Sequence, residues 1–211
     1  MVNVVLAPSI LSYDSCDLVG GVKIIESSGA RWIHVDVMDG HFVDNISFGP
    51  KLVSDLRKHT NLFLDVHLML EYPNKYAKRF IQAGADAITI HQEANCDVRG
   101  QLRIIKEHGC LCGLAVNPET VPNFELVRLA DIVLAMGVFP GFGGQKFMPE
   151  VCSKISLLHN FRSSNKLSYK ISVDGGINAD IAKDLASIGM DIIVSGSAFF
   201  SDPRTFQFCL S

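Results

Sequence analysis

Residues 32–36 read Trp32-Ile33-His34-Val35-Asp36, a short run of large and β-branched residues that ends on two metal-binding-type side chains. Runs of this kind read as buried strands, and a His and an Asp at a buried strand's carboxyl end are poorly explained by packing. The arrangement recurs: residues 62–66 are mostly apolar and lead into His67, and residues 169–173 lead into Asp174. A single strand-end His or Asp is usually a capped or hydrogen-bonded residue. Four of them at equivalent positions in a repeating pattern point instead to a site, which forms only if their strands lie close together. Two imidazoles and two carboxylates make a mixed nitrogen and oxygen donor set. That set suits one divalent metal ion, and Zn²⁺, Fe²⁺, Mn²⁺ and Co²⁺ are all compatible with it.

Working outward, apolar strand-like runs alternate with amphipathic helical segments along the whole chain. The strand candidates are 4–8, 32–36, 62–68, 87–91, 111–116, 132–136, 170–173 and 192–195. The helical patterns between them cover 18–28, 51–58, 74–83, 98–108, 123–129, 149–162 and 179–188. Gly29, Gly84, Gly109 and Gly189 follow four of these segments, where a left-handed cap favours a residue without Cβ. Asn178 stands where an N-cap belongs. Such alternation means parallel strands joined by crossover helices. Roughly eight repeats predict a closed α/β fold, a single (β/α)₈ TIM barrel over residues 1–211. The rival, a doubly wound open sheet, places a glycine-rich nucleotide loop after its first strand. Here that position reads Ala7-Pro8-Ser9-Ile10-Leu11.

Composition narrows the function classes. The 211 residues are 48% hydrophobic, enough for one sizeable core. A net charge of −3 and the lack of any long basic run leave no electrostatic footprint for nucleic acid. The longest apolar stretches are strand-length, so no membrane span is expected. The opening Met1-Val-Asn-Val-Val-Leu6 lacks a basic segment followed by a long apolar one, so no secretory leader is expected. Six cysteines at 16, 96, 110, 112, 152 and 209 form no Cys-x-x-Cys pair. Free thiols in a reducing cytoplasm are the expectation.

Barrel enzymes carry their sites at the carboxyl ends of the strands, where His34, Asp36, His67 and Asp174 all fall. Three small-residue turns follow the last three strands. Pro140-Gly-Phe-Gly-Gly-Gln145 contains Gly141, Gly143 and Gly144; Gly175-Gly176 follows Asp174; Gly196-Ser197 follows the eighth strand. A glycine cluster alone is often an ordinary flexible loop. Three neighbouring turns with freely approachable N–H groups make a phosphate cradle that needs no Lys or Arg. Met38, Met69 and Met136 sit at or just past strand ends. Filling the core is their default role, and a water-poor cap over a reacting carbon is the functional one. Ser9 occupies the matching position after the first strand, placed either to hydrogen-bond a substrate hydroxyl or to stabilise a turn.

Taken in order, Leu6-Ala-Pro-Ser-Ile-Leu-Ser12, His34-Val-Asp-Val-Met-Asp-Gly-His-Phe-Val43, Asp65-Val-His-Leu-Met69, Pro140-Gly-Phe-Gly-Gly-Gln145, Val173-Asp-Gly-Gly-Ile177 and Ser195-Gly-Ser-Ala198 resemble the ribulose-phosphate 3-epimerase family. The resemblance spans nearly the whole chain. It implies a TIM barrel interconverting D-ribulose 5-phosphate and D-xylulose 5-phosphate with a divalent metal, and often a homo-oligomer. By the same resemblance His34, Asp36, His67 and Asp174 are metal ligands, and Asp36 and Asp174 are the acid/base pair. Ser9, His67 and the methionines touch substrate, while the glycine turns hold phosphate. Elementary chemistry agrees: inverting a carbon beside a ketone needs one carboxylate on each face of the substrate plane. Related barrels that decarboxylate sugar phosphates carry Lys in Asp-x-Lys, where this chain has Met38. The alternatives are an epimerase of a hexulose phosphate such as allulose 6-phosphate and a non-catalytic sugar-phosphate-binding barrel; two opposed acids argue against the latter.

Three positions depart from the family pattern. Met136-Gly137-Val138-Phe139 stands where the family reads Met-Ser-Val or Met-Thr-Val followed by Asn, Glu or Asp, and Ser172 stands where it often has Glu. The expectation is that Phe139 is largely buried against neighbouring loop or subunit residues, buttressing the phosphate loop, with Gly137 leaving space for its ring.

Overall fold

In a computed structural model that describes residues 4–210, the alternation becomes eight parallel strands. They are β1 (Val5–Pro8), β2 (Trp32–Met38), β3 (Phe63–Met69), β4 (Ala87–His91), β5 (Leu111–Val116), β6 (Ile132–Met136), β7 (Lys170–Asp174) and β8 (Ile192–Ser195). The helices are α1 (Leu18–Ser28), α2 (Pro50–His59), α3 (Ala77–Gln82), α4 (Val98–Glu107), α5 (Phe124–Val127), α6 (Val151–Ser164), α7 (Ala179–Ser187) and α8 (Ser197–Ser201). Strands β2 to β8 pair in sequence order, and β8 pairs with β1. A parallel bridge between Ser9 and His34 links the β1 edge to β2 and brings the sheet to near closure as a barrel. Residues 1–3, the start of the segment in which no leader is expected, lie outside the described residues. Among those described, no helix is long and apolar enough to cross a membrane.

Local chemistry accounts for most element ends. Gly29, Gly84, Gly109 and Gly189 all adopt positive φ, between 84° and 105°, the left-handed conformation that ends a helix at little cost only for glycine. Asn178 caps α7 by accepting from the N–H groups of Asp180 and Ile181. Elsewhere the structure corrects the expected bounds. The helix expected over 74–83 is divided, with a 3₁₀ turn at Pro73–Lys75 and α3 beyond it, because Tyr76 has φ −123°, outside the helical range. The segment expected at 149–162 begins at Val151 and runs to Ser164. A helix over Ser197–Ser201 and a 3₁₀ segment over Pro203–Cys209 were not anticipated. Each is too short to show a period, and the fully buried Phe199 and Phe206 anchor them.

Alternation along the strands divides the apolar residues between two regions. Outward-facing Ile33, Val35, Leu64, Val66, Ile88, Val133 and Ile171 pack against Val22, Ile25, Val53, Phe80, Leu102, Ile155 and Leu185 of the helices. Each such side chain contributes about 1.5–3 kcal/mol when fully buried. Inside the barrel, Ala87, Ile132 and Ile192 form an apolar plug, with Trp32 and Phe63 packed against it. The Trp32 and Phe63 rings stack with centroids 4.0 Å apart. Above the plug the interior turns polar, with His34, Asp36, Asp65, His67, Thr89, His91 and Ser172 all buried. Cys110 and Cys112 are also buried, their thiols directed at the carbonyls of Ala85 and Leu129. Burial, followed by the Asp131 charge, pushes Cys112 up to about 11, so it behaves as a packing residue rather than a reactive thiolate.

Candidate active site and metal centre

Period two along β2 sends His34, Asp36 and Met38 inward, and along β3 it does the same for Asp65, His67 and Met69. Parallel register then sets His34 beside Asp65 and Asp36 beside His67. Near-closure of the barrel carries β7 round to them. One ligand atom from each of His34, Asp36, His67 and Asp174 lies within 4.8 Å of the other three. All four donors named from the sequence therefore meet in one cluster. Both histidines are fully buried, Asp36 is nearly so, and Asp174 is the member open to the cleft.

The cluster is held from behind. Asp65 Oδ2 lies 2.8 Å from His34 Nδ1, placed to accept a hydrogen bond from that ring nitrogen while Nε2 faces inward. That Nε2 is 3.2 Å from Asp36 Oδ1. His67 presents Nδ1 to the same oxygen at 3.1 Å, while its Nε2 lies 2.8 Å from His91 Nε2. Ser9 Oγ donates to Asp36 Oδ2 at 2.5 Å and accepts from the Leu11 N–H. The turn-stabilising reading of Ser9 is thus realised, and its hydroxyl is committed to Asp36, an acid of the cleft.

Electrostatics show what the cluster demands. Burial opposes charge on His34, yet Asp36 and Asp65 outweigh it and hold the imidazole well above its ordinary value. Asp36, although buried, is held far below the usual carboxylate range by His34 and His67. Burial pushes His67 down to about 4. Asp174 goes the other way, driven up to about 7 by burial and then by the Asp36 charge. Two carboxylates and two inward nitrogens in a water-poor interior call for positive charge, and the mixed donor set fits a divalent transition metal.

The cleft above is lined by Ser9, Asp36, Asp174 and the three methionines Met38, Met69 and Met136. Gly141, Gly143, Gly144, Gly175, Gly176, Gly196 and Ser197 complete its wall, and no Lys or Arg is among its lining residues. His67, expected also to touch substrate, does not line the cleft. It lies beneath the floor with its ring fully buried. The glycines are not interchangeable. A Cβ on Gly176 would stand 2.3 Å from Phe147 N, so this glycine permits two loops to approach. Gly143 lacks a left-handed φ, and its Cβ would meet only Ser12 Oγ, at 3.4 Å. Gly143→Asp is therefore the clean probe. It should weaken binding of inorganic phosphate and of a sugar phosphate together, by about tenfold or more, through repulsion of a dianion. Calorimetry with both ligands checks this, and unchanged phosphate affinity would overturn the expectation that the Gly143 loop holds an anion.

Three participants were missed from the sequence. His91 ends β4 as the named residues end theirs, so the strand-end rule already contained the signal. Glu93 follows in a loop, 3.3 Å from His91 Nδ1, and Asp65 sits two residues before His67 on the same inward face. Burial raises Glu93, but hydrogen bonds from His91, Thr120 and the Asn117 N–H more than offset it and bring it to about 2.

The departures are also corrected. Phe139 is 47% exposed within one chain, so neighbouring loop residues do not bury it. The loop is tied through its backbone instead, with Gln145 Nε2 donating to the carbonyls of Phe139 and Phe142. Gly137 makes no room for Phe139, because a Cβ there would lie 2.6 Å from Gly175 O and 2.9 Å from the Phe147 ring. Ser172 is buried, and its hydroxyl has no partner.

Comparison with known proteins agrees with this geometry. Residues 5–200 match the model of the ribulose-phosphate 3 epimerase family. The chain belongs to that family. A ribulose-phosphate 3-epimerase of Synechocystis is 43% identical over 96% of this chain and 90% of its own length. One from Bacillus subtilis is 44% identical over 92% and 91% respectively. Among solved structures, a mutant tryptophan synthase alpha-subunit from Pyrococcus furiosus aligns over 99% of this chain and 95% of its own, with TM-score 0.69 and 12% identity. That likeness speaks for the TIM-barrel fold alone. Membership of the epimerase family makes the chain an isomerase-type enzyme acting on a sugar phosphate.

Proposed function

We propose that this epimerase interconverts D-ribulose 5-phosphate and D-xylulose 5-phosphate, with Asp36 and Asp174 as the proton-transferring pair. The observation that carries the reading is the split between these two acids. They come from β2 and β7, meet at one cleft, and have their proton affinities driven in opposite directions. Opposed carboxylates of this kind supply one base and one acid at neutral pH. The base removes the proton from C3 on one face, and the acid returns one on the other. The roles exchange when the reaction runs backward.

His34, Asp36, His67 and Asp174 would hold a divalent ion, which supplies Lewis-acid stabilisation of the enediolate's charge. The chain's own groups do the rest. Ser9 steadies the Asp36 carboxylate, Met38, Met69 and Met136 keep water from the reacting carbon, and the glycine turns anchor the phosphate. We also propose a homo-oligomer in the cytoplasm. Exposed Ile46, Phe139 and Phe142 and six unpaired cysteines support this.

Turnover in heavy water is the direct test. Product should carry deuterium at C3, and ribulose 5-phosphate should be used faster than allulose 6-phosphate. Product lacking solvent hydrogen at C3 overturns the two-acid mechanism. Faster use of the hexulose phosphate reassigns the substrate but leaves the mechanism standing.

A further inference from the structure

Behind the proposed metal ligand His67 runs a buried chain of groups that the epimerisation chemistry does not use. His67 Nε2 faces His91 Nε2 at 2.8 Å, and His91 Nδ1 faces Glu93 Oε2 at 3.3 Å. The rings of His67 and His91 lie nearly parallel, at 27°, and both are fully buried. The other Glu93 oxygen, Oε1, accepts from the Asn117 backbone N–H at 2.9 Å.

Only one proton can sit between two imidazole nitrogens, so this chain has two possible polarities. An ionised Glu93 can only accept, which puts a proton on His91 Nδ1. Neutral His91 then offers Nε2 as an acceptor, and His67 must donate from its own Nε2. That leaves His67 Nδ1, the atom within 3.1 Å of Asp36 and 3.9 Å of Asp174, with its lone pair directed into the cluster. In the opposite polarity, Nδ1 carries the proton and cannot bind a metal.

We propose that Glu93 is a positioning residue that acts through His91 to lock His67 in the metal-ready tautomer. The proposal rests on the reading of His34, Asp36, His67 and Asp174 as a metal site. Outer partners of ligating histidines commonly matter in this way, at about 10–100-fold in metal affinity. What this chain adds is a second histidine between carboxylate and ligand, so that one residue two links away sets the polarity of the whole line.

The arrangement makes an unusual ordering of variants. In Glu93→Gln the Asn117 N–H must still find an acceptor, so the amide oxygen takes the Oε1 place and the amide nitrogen faces His91 Nδ1. That nitrogen donates, which forces His91 to donate from Nε2 and His67 to carry its proton on Nδ1. The near-isosteric change reverses the line. Glu93→Ala only removes the bias and leaves both polarities accessible. Zn²⁺ affinity, measured by chelator competition on the metal-stripped full chain, should fall on the order of 100-fold in Glu93→Gln but only about tenfold in Glu93→Ala. Circular dichroism should show both variants folded. Nitrogen-15 spectra of the Zn²⁺-loaded wild type should place protons on His67 Nε2 and His91 Nδ1. Equal Zn²⁺ affinity in wild type and Glu93→Gln, or a larger loss in Glu93→Ala, overturns the proposal. If the wild type itself binds no Zn²⁺, the metal reading fails. The tautomer assignment is then decided by the same spectra on the metal-free chain, where a neutral His67 protonated on Nδ1 overturns it.

Discussion

Asp36→Asn and Asp174→Asn should each slow C3 inversion by about 10²–10⁴-fold, the range of a lost general acid or base. The double variant should be scarcely slower than the worse single one, because a proton-transfer pair fails as a unit. The two variants should differ in how they treat the metal. Asp36 contacts Ser9, His34 and His67, so its replacement disturbs three neighbours at once. Asp174 stands at the cleft side, with a side chain 16% exposed and ligand-atom contacts to the histidines only at 3.9 Å. Asp36→Asn should therefore lose more bound metal than Asp174→Asn at similar cost in rate. Initial rates and elemental analysis of the same samples check this. Near-normal turnover in either variant would remove that carboxylate from the chemistry.

Exhaustive chelation should reduce turnover by about 10³-fold, corresponding to several kcal/mol of transition-state charge stabilisation. Readdition of Zn²⁺, Mn²⁺, Fe²⁺ or Co²⁺ should restore it, with the extent differing from ion to ion. The expectation rests on four donor atoms within 4.8 Å and on the outer carboxylate Asp65, which orients His34. Full activity in protein shown to be metal-free would transfer the burden of charge stabilisation to His34, whose imidazole the acids already hold well above its ordinary value.

Much of this site was legible because two strands encode it locally. In His34-Val35-Asp36 and Asp65-Val66-His67, alternation alone sends both members of each pair to one side of a sheet, whatever the rest of the chain does. Strand cores and glycine caps were equally visible, since a run of apolar residues and a left-handed cap are properties of a few consecutive residues. The strand ends were less so. β2 reaches Met38 and β3 reaches Met69, two and one residues beyond the expected limits, because pairing with a neighbour rather than propensity decides where a ladder stops.

The expectations that the loop buries Phe139 and that Gly137 makes room for its ring failed for a related reason. A motif comparison shows that a residue has changed but not what surrounds it. Around Gly137 the decisive neighbours are Gly175 O and Phe147, contributed by another strand's end and by the far side of the loop.

The sequence by itself determined the eight-fold alternation of strand and helix, the donors at the strand ends and the small-residue turns after β6, β7 and β8. These follow from periodicities and conformational preferences that act over a few residues. Only the tertiary structure decided that Asp174 lies with His34, Asp36 and His67, that Ser9 bonds Asp36, and that Glu93 reaches His67 through His91. Those contacts join residues as many as 140 positions apart in the sequence numbering. They depend on register and on barrel closure, quantities set by the packing of the whole chain and written in no single segment of it.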